Sequence, residues 1–504
     1  MKQAHETELS AIQAKAIDGV KNLFEEISES AGDLEAHDAE MNIFRGLRKI
    51  GVQLLDGYFT AKGTGDVGLV LQDDDGSKYK RVSQNQPFKY LSLFGKVEVT
   101  RTGYWCHGRP LIYPLDAQAN LPYKHHSYAL QELVNDLCKN IPFQEGVRHI
   151  NKWIGVSISD FTAEQITQES SNNYEAFYAS KPIPPAAPIE DHLVVSLDGK
   201  GVPMIKKEAA KIKAKLRKGE KRLKTKEALV GVVYTAAPKT RTAEEIAENL
   251  VYPEKSKERR KNEGLKADDT PRADNIRRLA SVAKPKIKVV EEVLQEAEKR
   301  DPDRERALSI LVDGDPTLER LAKEAFDSWP EEQQFLILDI IHVRDYVWKV
   351  AHALYQEGSD EAAAYVYKQL AKILKGQVNN VICGMKTSMG KRKLKGAKAK
   401  AILDTVRYFK NHKHMMQYDV YLHWGFQIAT GVVESTCKSL VKNRMEGCGM
   451  RWSIVGAEAM LRLRSISLSH DWDDYWPFHI SMERERLYGK TMRMLSNRSY
   501  ALAA

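Results

Sequence analysis

His192-Leu-Val-Val-Ser-Leu-Asp198-Gly199 is the stretch on which the fold turns. It is a short apolar run that closes on an acid and a glycine, the pattern of a buried strand leading into a turn. Ala307-Leu-Ser-Ile-Leu-Val-Asp313-Gly314 repeats that pattern, and Gln334-Phe-Leu-Ile-Leu-Asp339 gives it a third time. Ala228-Leu-Val-Gly-Val-Val-Tyr-Thr235 reads as one more strand. Strands that alternate with helices and carry carboxylates at their C-terminal ends predict an α/β core.

Working outward, Lys181-Pro-Ile-Pro-Pro-Ala-Ala-Pro-Ile189 is a proline-dense linker and marks the main domain boundary. The interval from about 240 to 300 is polar and helix-prone. From 346 to 428 apolar residues recur at helical spacing (Val347, Val350, Ala351, Leu354, then Leu370, Ile373, Leu374), which predicts a helical insertion. The core is therefore expected in two parts, 190–345 and 429–504. In the second part, Trp472 and Trp476 are expected to pack the closing helix against that core.

Upstream of the linker, Leu9, Ile12, Ala16, Val20, Phe24 and Ile27 form one helical stripe, and Ile43, Leu47, Ile50 and Leu54 another. Residues 1–62 should be two helices, with Asp33 capping the second. Residues 63–125 carry the turn Asp73-Asp-Asp-Gly76 and the alternation Val97-Glu-Val-Thr-Arg-Thr-Gly-Tyr104, which predict a small β module. Helical periodicity resumes over 126–180. A break at Asn140-Ile-Pro142 and a restart at Ser157-Ile-Ser-Asp-Phe161 give a helix-turn-helix rhythm.

The 504 residues exceed one ordinary domain, and hydrophobic residues at 42% suffice for real cores. No run approaches a membrane span, and Met1-Lys-Gln-Ala-His-Glu-Thr7 has no signal-peptide core, so a cytoplasmic protein is expected. The five cysteines form no C-x-x-C pair, which argues against a disulfide framework and a zinc ribbon. Net charge is +9, but eleven Lys or Arg lie between Lys206 and Lys226, and Lys391-Arg-Lys-Leu-Lys395 with Lys398 and Lys400 makes a second cluster. Each cluster is either a solvated helix face or a polyanion contact.

Three carboxylates on rigid elements can hold two divalent ions for phosphodiester chemistry, and hard oxygen ligands suit Mg²⁺. Asp198 and Asp313 end strands, and Glu434 sits in Gly431-Val-Val-Glu434-Ser-Thr-Cys-Lys438, where a turn gives way to a helix. On an α-helix Glu434 and Lys438 would share a face as an i,i+4 pair. Each acid has a plainer reading as well: Asp before Gly is a turn former, and Glu434 complements a helix dipole. His342 either contacts phosphate or holds Asp339. Arg451 and Trp452 either meet DNA, by phosphate contact and base stacking, or Trp452 belongs to the core.

The C-terminal run Thr430-Gly-Val-Val-Glu434-Ser-Thr-Cys-Lys438, then Arg444-Met-Glu-Gly-Cys-Gly449-Met-Arg451-Trp452-Ser453, resembles transposases of ISKra-type bacterial insertion sequences. Asp198-Gly-Lys-Gly-Val-Pro-Met204 and Val312-Asp313-Gly-Asp315 share the resemblance. Asp339-Ile-Ile-His342 resembles the Asp-x-x-His element of these enzymes and of the Mutator-like ones. The resemblance implies an RNase H-like core with a helical insertion before the last acid, and a catalytic triad of Asp198, Asp313 and Glu434. It further implies two Mg²⁺ or Mn²⁺ ions, and as partners the terminal inverted repeats, target DNA and at least one further copy of the chain. Lys200, His342, Lys438 and Arg451 are the expected DNA contacts, with Asp339 and Trp452 supporting. The family's cysteine pairs around the β module are missing, so no zinc is expected. A nuclease without strand transfer and a non-catalytic DNA-binding protein are the competing readings.

Overall fold

The computed structural model describes residues 2–185, 187–212, 224–264 and 271–503. The first basic cluster falls largely at 213–223, outside the described residues. The chain divides into two compact units, 1–180 with 471–504, and 181–470.

The first unit opens on two long helices, α1 (Lys2–Glu29) and α2 (Ala36–Lys62), packed on each other. Glu35, not Asp33, occupies the N-cap of α2, and it makes no side-chain capping bond. The β module is two small sheets. Strands β1 (Val70–Gln72), β2 (Lys78–Arg81) and β5 (Tyr104–Trp105) form one, β3 (Gln86–Leu91) and β4 (Lys96–Arg101) the other. After the short α3 (Pro114–Ala119) come α4 (Tyr128–Cys138), α5 (Phe143–Trp153), α6 (Asp160–Ser170) and α7 (Tyr174–Ser180). Ser127 and Ser159 cap α4 and α6 by accepting from backbone N–H groups three residues on. Leu130, Val134, Val147, Ile150 and Ile166 fuse α4, α5 and α6 into one core.

The closing helix, Trp472–Ala503, belongs to this first unit. That differs from the expected assignment of 429–504 to the α/β core, and the reason lies in its partners. Tyr475 is fully buried and donates its hydroxyl to Ser170 O at 2.5 Å. Lys139 Nζ sits 3.7 Å from the centroid of the Trp472 ring, and Tyr488 donates to Leu121 O at 2.7 Å.

The second unit is built on a mixed five-stranded sheet, so the chain is α/β there. Its elements are β6 (His192–Pro203), α8 (Lys206–Ala209), β7 (Thr225–Ala236), α9 (Ala243–Val251), α10 (Pro253–Asn262), β8 (Asp274–Ser281), α11 (Lys286–Arg300), β9 (Leu308–Val312), α12 (Pro316–Phe326) and β10 (Gln334–Leu338). The strand order is β10-β9-β6-β7-β8. β6, β7 and β8 are antiparallel neighbours, and β9 and β10 run parallel to β6 on its other side. All of β9 and the first half of β6 are buried, because helices cover both faces and leave no solvent side for alternation. Gly231 of β7 lets α11 approach closely, since a Cβ there would lie 2.5 Å from Val293 Cγ2.

β8 is the strand the sequence does not announce. Asp274, Asn275, Arg277 and Arg278 give it polar composition, and it lies at the sheet edge. Its arginines serve there: Arg278 donates from its main chain to Ser469 Oγ at 2.9 Å and from its guanidinium to Leu468 O. The helical insertion follows as α13 (Ile340–Leu354), α14 (Asp360–Leu374), α15 (Val378–Lys391), α16 (Gly396–His412) and α17 (Tyr418–His423). Then come α18 (Gly431–Thr436), a π-helical stretch Cys437–Lys442, α19 (Asn443–Met445) and α20 (Ile454–Leu468). Among the described residues no helix is long and apolar enough to cross a membrane.

Candidate active site

Strand register brings the acids together. Val312 pairs with Leu338, so Asp313 and Asp339, one residue on, end β9 and β10 side by side. Ser196 pairs with Leu311, so Asp198, two residues on, falls in the same row as Asp313. Three neighbouring strands thus deliver three carboxylates to one level, although Asp198 does not end its strand as expected: β6 runs on to Pro203 because β7 continues to pair with it past the end of β9. α18 brings Glu434 against that row, packing on β6 and β7.

Each carboxylate is held differently. Asp198 Oδ1 accepts from its neighbour Gly199 N at 2.7 Å, and Oδ2 accepts from the Cys437 thiol at 3.2 Å. Asp313 Oδ1 accepts from Asp315 N at 2.9 Å, while the Asp313 main-chain oxygen accepts from the Tyr408 hydroxyl at 2.7 Å. Asp339 is wholly buried and fully partnered. Its Oδ1 accepts from Ile341 N at 3.0 Å and Thr430 N at 3.2 Å, and its Oδ2 from Thr430 Oγ1 at 2.6 Å. His342 Nδ1 lies 2.9 Å from that same Oδ2. Asp339 therefore clamps the start of α13, the entry to α18 and the imidazole in one place.

The electrostatics follow from crowding. Burial raises the Asp198 carboxyl above the ordinary carboxylate range; the Cys437 hydrogen bond opposes this, and the Asp313 charge adds to it. Glu434 reaches solvent, yet partial desolvation raises it too, and the Asp339 and Asp198 charges push the same way. His342 is raised chiefly by its hydrogen bond to Asp339 and then, against the effect of burial, by the charges of Asp339, Asp313 and Glu434. Excess negative charge packed among oxygen donors is the condition a hard divalent cation relieves.

Among the described residues the tightest convergence of ligand atoms is Asp339, His342 and Glu434, all within 4.8 Å of one another. Asp198 and Asp313 stand outside that cluster, close enough for their charges to act on its members. Four acids and one histidine therefore gather here, the expected Asp198, Asp313 and Glu434 together with Asp339 and His342.

The other expected residues divide. Lys200 lies in β6 with its ammonium 3.8 Å from the Glu446 carboxylate, half-exposed beside the acids. Lys438 is exposed and lies in the π-helical stretch Cys437–Lys442, which follows directly on α18 and Glu434. Arg451 is exposed and turned back on its own loop, donating to Gly449 O at 3.2 Å and Met450 O at 2.7 Å. Trp452 is core: it is 6% exposed and its indole donates to Met445 O at 3.1 Å. Its main chain joins the end of β6, receiving Ile205 N at 3.0 Å and donating to Pro203 O at 2.9 Å. With the ring so enclosed, base stacking is replaced by an anchoring role.

Three residues escaped the sequence reading: Thr430, Cys437 and Tyr408. Thr430 directly precedes the Gly-Val-Val-Glu turn, where a hydroxyl at an N-terminal boundary is a common signal. Nothing local marks Cys437 or Tyr408, since their partners are 239 and 95 residues away in sequence. No protein-family model matches the chain, and a search of curated proteins likewise finds no match.

Proposed function

We propose that the chain is a DNA transposase of the DDE type, with an RNase H-like core, that cuts transposon ends and joins them to target DNA. One observation carries this reading: adjacent strands set Asp198, Asp313 and Asp339 in one row, and Glu434 arrives against it from the segment that follows the helical insertion. The sheet, with three antiparallel strands continued by two parallel ones, supports the RNase H-like assignment.

Asp198, Asp313 and Glu434 would hold two Mg²⁺ or Mn²⁺ ions, with Asp339 and His342 at their side; when bound, the ions supply charge for the attacking and leaving oxygens at phosphorus. The donor set fits, because it is dominated by carboxylates, and burial together with neighbouring negative charge raises the proton affinities of Asp198 and Glu434. The protein's own part is positioning. Asp339 fixes the imidazole through Nδ1, which leaves Nε2 of His342 to meet a phosphate oxygen. Thr430 ties α18 to the end of β10 through Asp339, so Glu434 is presented by a rigid element. Lys200 lies on the same strand as Asp198 and offers a cation to the incoming phosphate. No protein nucleophile is required.

The deciding experiment incubates the protein with Mn²⁺ or Mg²⁺, labelled DNA from the flanks of its own gene, and a target plasmid. Joined products from the wild type that vanish with Asp198→Ala are expected. Cleavage without joining would establish a nuclease instead, and equal products from both proteins would remove Asp198 from the chemistry.

A further inference from the structure

The helical insertion carries a cleft that the carboxylate edge does not use. It lies between α13 and α16, has a volume of about 600 Å³, and is walled by Tyr346, Lys349, Lys400, Asp404, Arg407 and Tyr408. Lys349, Lys400 and Arg407 are exposed cations, and the single acid, Asp404, lies 3.6 Å from Arg407. The second basic cluster leads into this cleft, with Lys391, Lys393, Lys395 and Lys398 exposed. Not every cation of the run is free for a ligand: Arg392 donates to Leu354 O and stacks 4.6 Å from the Tyr355 ring centroid.

Two details define what the cleft would bind. The Tyr346 and Tyr408 rings stack at 3.9 Å and 13°, and Lys349 Nζ lies 3.9 Å from the Tyr346 centroid. One face of Tyr346 cannot hold both, so the ring is sandwiched and offers no bare face to a base. What remains on offer is preset positive charge and ring edges, the chemistry of a phosphate backbone. The cleft is also tied to the acids. Tyr408 donates to the main-chain oxygen of Asp313, and Gly314 allows that approach, since a Cβ there would lie 2.8 Å from the Tyr408 hydroxyl.

We propose that this cleft is a second phosphodiester-binding site, holding the sugar-phosphate backbone of the DNA that flanks the bond presented to the carboxylates. It rests on the transposase reading for the identity of the strand. Binding there is independent of base sequence and steeply dependent on salt.

The test uses the full chain and a labelled duplex of arbitrary sequence, with affinity measured across a series of KCl concentrations. The cleft triple variant, Lys349→Ala with Lys400→Ala and Arg407→Ala, is compared with a control triple, Lys257→Ala with Lys261→Ala and Lys288→Ala, which removes equal charge from α10 and α11. All six side chains are exposed, and circular dichroism checks that both variants fold. The cleft triple should lower the slope of log K against log salt by about 2–3 and weaken binding on the order of tenfold, the control much less. Lys400→Glu alone should weaken binding more than Lys400→Ala. An unchanged slope, or equal losses in both triples, overturns the cleft while leaving the catalytic reading intact if Asp198→Ala still abolishes joining. A wild type that binds no DNA overturns both.

Discussion

Asp339 shows what one residue can organise. Its carboxylate is wholly buried, and four hydrogen-bonding groups converge on it. Replacing Thr430 with Val keeps the shape but strips the 2.6 Å hydroxyl bond from a buried charge. The expected cost is about 1–3 kcal/mol of stability, read from urea unfolding and restored by Thr430→Ser. His192 gives a second residue-scale prediction. It is buried and stacked 4.1 Å from Phe426, and burial pushes its imidazole down to about 4. Between pH 6.5 and 4 the unfolded chain therefore takes up a proton that the folded chain refuses. Stability from neutral His192 is complete above pH 6.5 and is lost as the pH falls towards 4, by about 3 kcal/mol in all. His192→Phe retains the ring stack and should flatten that limb of the unfolding profile; an unchanged profile would refute the assignment.

At the scale of elements, Gly314 links the end of β9 to α16. Its φ of +89° is one a side chain rarely adopts, and the Tyr408 hydroxyl fills the space beside it. Gly314→Ala should cost about 1–2 kcal/mol from backbone strain alone, with the displaced Tyr408 adding to it. Urea midpoints for this variant and for Gly314→Ala with Tyr408→Phe separate the two contributions. Elements were also the scale at which the sequence read best. The strands carrying Asp198 and Asp313, and the one leading to Asp339, were legible because burial on both faces leaves uninterrupted apolar runs. β8 was not, because an edge strand anchored by Arg278 looks polar and unpatterned. The site was legible residue by residue where an acid followed such a run. It was illegible where a distant helix supplied the partner, as with Cys437 for Asp198 and Tyr408 for Asp313. The π-helical turn after Glu434 was hidden for a related reason: a shift from i→i+4 to i→i+5 bonding leaves no compositional trace.

For the whole molecule, the division into 1–180 with 471–504 and 181–470 makes the first unit discontinuous. A fragment spanning 181–470 should fold cooperatively by itself and keep the carboxylate edge, because the sheet, the insertion and α20 all lie within it. A fragment spanning 1–180 should not reach native stability. It lacks Tyr475, Trp476 and Met494, which are buried in its core in the intact chain. Adding residues 471–504 as a separate peptide should restore cooperative melting, followed by circular dichroism. A sharp transition of 1–180 without the peptide would contradict the division.

The closing helix has a further consequence, for the order of events during synthesis. Roughly 290 residues separate Ser180 from Asp471. At translation speeds of about 5–20 residues per second, the first unit waits roughly 15–60 s on the ribosome before its last helix emerges. The unit built later is complete first. Nascent chains stalled with residues 471–504 still inside the ribosome should therefore already protect the 181–470 unit from protease while the 1–180 segment remains open to cleavage, a maturation order inverse to that of the sequence.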